Sequence, residues 1–130
     1  MTVDDHDVVQ ELRAAHDCYE DALVTNDVTV LDALFWDSPK VIRFGATENL
    51  YGSEAMREFR KNRSATGVAR EVTRVEVHAF GRDAGATTVE FQRKVNGKLR
   101  AGRQSQFWVR FEGGWRVVSA HVSYLEEALP

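Results

Sequence analysis

Residues 87–100, TTVEFQRKVNGKLR, decide the fold. Thr87 to Val95 is rich in β-favouring residues with polar ones between them, and it reads as a strand. Asn96-Gly97 then supplies two residues that tolerate positive φ, the chemistry of a two-residue hairpin turn. Another long strand follows from about Arg100 to Glu112. Gly113-Gly114 turns the chain into a last strand, Trp115 to Tyr124. Upstream, Val75, Val77 and Ala79 alternate with Arg74, Glu76 and His78. Val72 is out of phase, which predicts a β-bulge between it and Val75.

Before Gly67 the period is near 3.6 instead of 2. Val8, Leu12, Ala15, Tyr19, Ala22 and Leu23 form one apolar stripe on a first helix, with Asp4, Asp5 and Asp7 at its positive end. Asn26-Asp27 ends that helix and caps a short second one carrying Val30, Leu31, Leu34 and Phe35. Pro39 stops further helix, Val41 to Gly45 reads as a strand, and Asn49 to Gly52 as a turn. Ser53 is the expected cap of a third helix that buries Met56 and Phe59. Three helices followed by a four-strand meander define an α+β domain with the helices on one face of the sheet. No linker, repeat or composition shift divides residues 1–130, so one domain is expected.

Bulged and glycine-bent strands curve, so the sheet and its helices should enclose a cone with a hollow mouth. If the outer face is apolar it needs a cover, and a homodimer supplies one. Phe107, Val109 and Phe111 share one parity; Gln104, Gln106 and Trp108 share the other. Periodicity alone assigns neither set to the cone.

The formal charge is −3, which speaks against a nucleic-acid partner, because phosphate contacts need a concentrated basic surface. Positive residues nevertheless crowd the stretch from Arg57 to Arg116. Cys18 is the only cysteine and cannot form an intrachain disulfide. The acidic start MTVDDHDVVQ lacks a signal-peptide pattern, and no apolar run reaches membrane-spanning length. A cytoplasmic protein without a membrane partner is expected. His6, His16, His78, His121 and Cys18 lack the spacing of a metal set, and no phosphate-cradling or cofactor motif is present. The expectation is no metal and no cofactor.

Several residues have two readings. Tyr19 is either a core tyrosine or a phenol aimed into the pocket as proton donor. Arg43, in VIRFG, is either an edge-strand charge or an inward guanidinium that needs an anion. Glu90 and Gln92 share one strand face, as do Gln104 and Gln106. Each pair is either solvated or lines the cone. His121 reads as a hydrogen-bonded structural residue.

The strings YEDALVTND (19–27), LDALFW (31–36), VIRFGATENLYG (41–52), GRQSQFWVR (102–110) and GGWRVVSAHVS (113–123) together resemble the oxalurate-catabolism (AtzH-like, HpxZ-like) family of the SnoaL-like, nuclear-transport-factor-2-like superfamily. The resemblance implies three helices on a strongly curved sheet that dimerises through its convex side. It implies decarboxylation of 1,3-dicarboxyurea to urea-1-carboxylate. Tyr19 on the first helix and Arg43 on the first strand match the residues implicated in that reaction. It also implies that Gln104, Gln106 and Trp108 face the cone beside Glu90, with His121 on the opposite side, and that a partner amidase works nearby. Three functions follow: a cofactor-free decarboxylase of a small carboxylated urea, a non-catalytic module that supports an amidase, and an isomerase-like proton shuttle with Glu90 as base.

Overall fold

The computed structural model describes residues 1–63 and 69–128, so Gly67, where the periodicity changes, lies outside the described residues. Asp5 starts helix α1 (His6–Thr25) by accepting from the backbone N–H groups of Asp7 and Val8. Asn26 ends it in the left-handed conformation, and Asp27 caps α2 (Val28–Leu34) by accepting from Val30 N. A short polar side chain tolerates that conformation, so one Asn-Asp pair both closes and opens a helix. Val8, Leu12, Tyr19, Ala22 and Leu23 are buried as their spacing predicts, and His16 joins them on the same stripe. Burying each large apolar member contributes roughly 1.5–3 kcal/mol.

Six strands make one sheet in the order β2-β1-β6-β5-β4-β3. They are β1 (Ile42–Phe44), β2 (Asn49–Tyr51), β3 (Glu71–Phe80), β4 (Ala84–Val95), β5 (Lys98–Phe111) and β6 (Gly114–Ala128). Strands β3 to β6 form the expected meander. Asn96 (φ 52°) and Gly97 (φ 80°) turn β4 into β5, so that Val95 pairs with Lys98. The predicted bulge lies between Val72 and Arg74, and a second irregularity falls at Phe107/Trp108 against β6. The expected four strands become six because β1 and β2 extend the sheet, β1 running parallel to β6.

Three local expectations are corrected. Asn49 to Gly52 is not a turn alone: Asn49–Tyr51 is an edge strand paired antiparallel with β1. Helix α3 (Ser53–Asn62) starts after Gly52, which occupies the cap position at φ 90°. Ser53 gives no cap hydrogen bond; its hydroxyl donates to Asp37 at 2.8 Å. Phe35 lies just past α2, where it bridges to Val117 in extended conformation.

Curvature shows in two close approaches. A Cβ on Gly85 would lie 2.3 Å from Leu12 Cδ2, and one on Gly102 would lie 2.3 Å from Phe91 Cζ. Leu12, Gly85 and its cross-strand partner Trp108 therefore mark the end where α1 presses against the sheet. Farther along α1, Tyr19 and Leu23 stand over a cavity instead. Among the described residues, no helix is long and apolar enough to cross a membrane.

Candidate functional site

Alternation places Thr87, Val89, Phe91 and Arg93 of β4 on the concave face, with Gly102, Gln104, Gln106 and Trp108 of β5 beside them. Helix α1 contributes Tyr19 and Leu23, α3 contributes Phe59, and Arg63 follows at its end. These elements enclose a cavity of about 270 Å³, whose wall also includes Arg43, Glu48, Arg70, Val122 and Tyr124. Arg43 projects inward because its neighbours Ile42 and Phe44 take the other face of β1, where Phe44 meets Tyr51 and His121 edge-on at 5.8 Å.

Tyr19 and Arg43 thus share one cavity, and Gln104 joins them. Tyr19 is 2% exposed, and its hydroxyl accepts from Gln104 Nε2 at 3.1 Å. Arg70 Nη1 donates to Gln104 Oε1 at 2.9 Å, while its Nε and Nη2 engage both oxygens of Glu20. The Arg70 guanidinium also lies 4.3 Å above the Phe91 ring. This forked pair holds Arg70 rigidly, and Arg70 in turn holds the Gln104 amide. His16 backs the same chain, with Nε2 3.6 Å from Glu20 Oε1. Burial pushes the His16 imidazole below its ordinary value; Glu20 and Asp17 oppose that shift, while Arg70 and Arg13 reinforce it. His16 is therefore neutral at pH 7.

Arg43 Nη1 donates to Glu48 Oε1 at 3.0 Å, and Glu48 Oε2 accepts from Thr47 N and Oγ1. Arg63 donates to Asn26 Oδ1 at 3.2 Å, and its Nε is buried without an acceptor among the described residues. Arg93 Nη1 donates to the Tyr124 hydroxyl at 3.2 Å. Arg60 lies behind this wall, paired with Asp32 at 2.7 Å and 4.6 Å over the Phe35 ring that tilts against Tyr19.

Three of the expected ligand-binding residues are placed elsewhere. Gln106 and Trp108 do face inward, but they are packed into the core toward the Leu12 end. There Trp108 Nε1 donates to Thr87 Oγ1 at 2.9 Å, and Thr87 Oγ1 donates to Gln106 Oε1 at 3.2 Å. Neither lines the cavity. Glu90 is exposed on the outer face, because it falls between the inward Val89 and Phe91 and opposite Arg103. It cannot serve as a base in this cavity. His121 lies on that outer face, as expected. Arg63, Arg70, Arg93, Glu20 and Glu48 were not singled out from the sequence. The crowding of arginine between Arg57 and Arg116 was the one signal that pointed to the three arginines, and no signal pointed to Glu20 or Glu48.

The curved sheet closed by helices over an arginine-rich cavity has the nuclear-transport-factor-2-like fold. An AtzH-like family model matches residues 1–128, and the chain belongs to the AtzH-like family. A protein of unknown function from Pectobacterium atrosepticum is 44% identical, with 95% of each chain covered and a TM-score of 0.90. A cystatin-like fold protein from Burkholderia xenovorans is 37% identical over 100% of this chain and 99% of that one, with a TM-score of 0.89. A ketosteroid isomerase-like protein from Erwinia carotovora atroseptica, 16% identical with a TM-score of 0.74 over 95% of this chain and all of that one, shares the fold. No match is found among curated proteins. Family, fold and cavity together define a protein that binds or processes a small molecule.

Proposed function

We propose that this protein is a decarboxylase of a small N-carboxylated urea, of the 1,3-dicarboxyurea type, working with its own side chains. The observation that carries this is the presence of Tyr19 and Arg43 in one cavity with three further arginines on its wall. An N-carboxylate is a carbamate. When its nitrogen gains a proton, the nitrogen–carboxylate bond breaks, the bonding electrons stay on nitrogen, and carbon dioxide leaves. Arg43 is suited to hold a carboxylate through parallel N–H donors and so to fix the plane of the substrate. Tyr19 offers a hydrogen bond to the nitrogen and passes on a proton drawn from water, since a free phenol with a pKa of about 10 is a weak acid.

The test is carbon dioxide release from freshly generated 1,3-dicarboxyurea by the purified protein, measured against spontaneous decay. Acceleration that disappears in Tyr19→Phe supports the proposal. A wild-type protein that leaves the spontaneous rate unchanged sinks it, and the non-catalytic module then stands in its place.

A further inference from the structure

The connection between β1 and β2 is closed by Gly45 N donating to Glu48 O at 2.8 Å, and Ala46, Thr47 and Glu48 all line the cavity. The Glu48 carboxylate folds back over this turn. Its Oε1 accepts from Arg43 Nη1 at 3.0 Å, while its Oε2 accepts from Thr47 N at 3.2 Å and from Thr47 Oγ1 at 2.6 Å. The floor beneath it is Gly45. A Cβ there would lie 1.7 Å from Glu48 Oε1, 2.4 Å from its Cδ and 2.9 Å from its Oε2. The carboxylate therefore sits in space that any side chain at position 45 would fill. Three donors from two residues converge on one glycine-floored spot, and a single carboxylate touches all three.

We propose that Gly45, Thr47 and Arg43 form the seat of the ligand's carboxylate, and that Glu48 fills it until the ligand takes its place. A partly buried guanidinium without an anion is costly, so the free protein supplies one of its own. The Arg43 side chain is 14% exposed and that of Glu48 20%. Glu48 is suited to leaving: its carboxylate ends a flexible side chain, and Ala46 and Thr47 beside it are exposed, so solvent is a rotamer change away. An incoming carboxylate meets the same three donors, and the Arg43 charge is balanced before and after the exchange. A neutral molecule of the same shape offers Arg43 no charge in return and does not evict Glu48. The exchange rests on Arg43 taking a ligand carboxylate, as proposed above, and does not depend on catalysis.

The experiment is calorimetric binding of glutarate, which has the carboxylate spacing of the proposed substrate and no bond to break. Glu48→Ala empties the seat and should bind glutarate about tenfold more tightly than wild type, the effect of one charge-assisted contact no longer displaced. Gly45→Ala puts a methyl group in the seat and should bind about tenfold more weakly or worse. Thr47→Val should change little in the wild type, because the hydroxyl donates to Glu48 before binding and to the ligand after it. In the Glu48→Ala background the same substitution should weaken binding about fivefold. Thermal melts identify any variant that fails to fold, and Glu48→Gln replaces Glu48→Ala if that one does. Weaker or unchanged binding in the Glu48 variant overturns the exchange. So does a Gly45→Ala protein that binds as wild type does, an equal loss from Thr47→Val in both backgrounds, or no glutarate binding by any of the proteins. The expected pattern without carbon dioxide release leaves the seat standing and removes the decarboxylase. Release without the pattern does the reverse.

Discussion

The Tyr19 hydroxyl accepts a hydrogen bond from Gln104 Nε2, and the direction of that bond is set from behind. Arg70 donates to the other end of the same amide. A guanidinium has donors only, so the Gln104 oxygen must face Arg70 and its nitrogen must face the phenol. Tyr19 is then the acceptor in that hydrogen bond. Its own proton remains for a partner on the cavity side. Glu20, by fixing Arg70, acts on the phenol through two intermediaries.

If the phenol proton serves the reaction, two variants should damage turnover by different routes. Tyr19→Phe removes the proton and leaves the Gln104 amide nitrogen unsatisfied, at about 1–3 kcal/mol in stability. Gln104→Glu keeps the size but offers an acceptor, drawing the phenol proton away from the cavity. Both should lower kcat on the order of a hundredfold while leaving KM nearly unchanged. Steady-state kinetics with thermal melts check this. If Tyr19→Phe does not fold, the hydroxyl is a structural bond and the donor role fails.

Arg43 should respond to shape and charge separately. Arg43→Lys keeps the charge but loses the planar fork, so kcat/KM should fall roughly thirty- to a thousandfold, the effect of a lost charge-assisted contact of about 2–4 kcal/mol. Glu48→Gln removes the carboxylate that holds Arg43 Nη1 and should bind glutarate several-fold more tightly than wild type. Weaker binding instead would show that Glu48 orients Arg43 and does not compete for it.

Most of the fold was legible because it is written in local patterns: the α1 stripe, the Asn26-Asp27 boundary and the Asn96-Gly97 turn. Strand β2 was not. Asn49–Tyr51 is a three-residue edge strand made of residues that also suit a turn, and its pairing with β1 defines it. The site was half legible. Tyr19 and Arg43 could be named from the stripe and the family strings. Arg70 could not, because Glu20, fifty residues earlier, determines its burial. The Glu90 placement was avoidable. Counting back from Val95↔Lys98 across a two-residue turn sets Val89, and not Glu90, opposite Gln104.

Acid should destabilise the fold through His16. Its folded value is depressed, so below the unfolded value of about 6.5 the unfolded chain binds a proton that the folded chain refuses. Stability therefore falls as pH drops from about 6.5 toward that lower folded value. His78 works the other way. Its hydrogen bond to Asp4 raises its value, so its contribution is complete below about 6.5 and is lost as pH climbs through the raised one. Thermal melts from pH 8 to pH 5.5 should show a fall on the acid side that is smaller in His16→Gln. An unchanged profile would mean that His16 does not govern it.

Association should use the face away from the helices. Phe107 is 56% exposed there, in the register that puts His121 and Ser105 opposite each other nearby. A homodimer covering it should bury more than roughly 1,000 Å² in total. Phe107→Glu should then give monomers by light scattering at concentrations where wild type is dimeric. A monomeric wild type at micromolar concentration would remove this expectation.

Gly102 couples the curvature of the sheet to the cavity. A Cβ there would lie 2.3, 2.4 and 2.9 Å from three atoms of the Phe91 ring. Phe91 is 2% exposed and cannot swing out to solvent. It would be pushed toward the Arg70 guanidinium stacked on it, or toward Tyr124, which meets it edge-on at 5.8 Å. Both neighbours line the cavity. Gly102→Ala should therefore cost about 1–3 kcal/mol in stability and also weaken anion binding. Gly85→Ala provides the contrast: its Cβ would strike Leu12 Cδ2 and the His78 carbonyl at the closed end, away from the ligand. It should lower the melting temperature comparably and leave the affinity of the folded protein for glutarate unchanged. Equal effects of the two substitutions on binding would show that the cavity senses global stability, and that Phe91 does not transmit the shape of the sheet to Arg70.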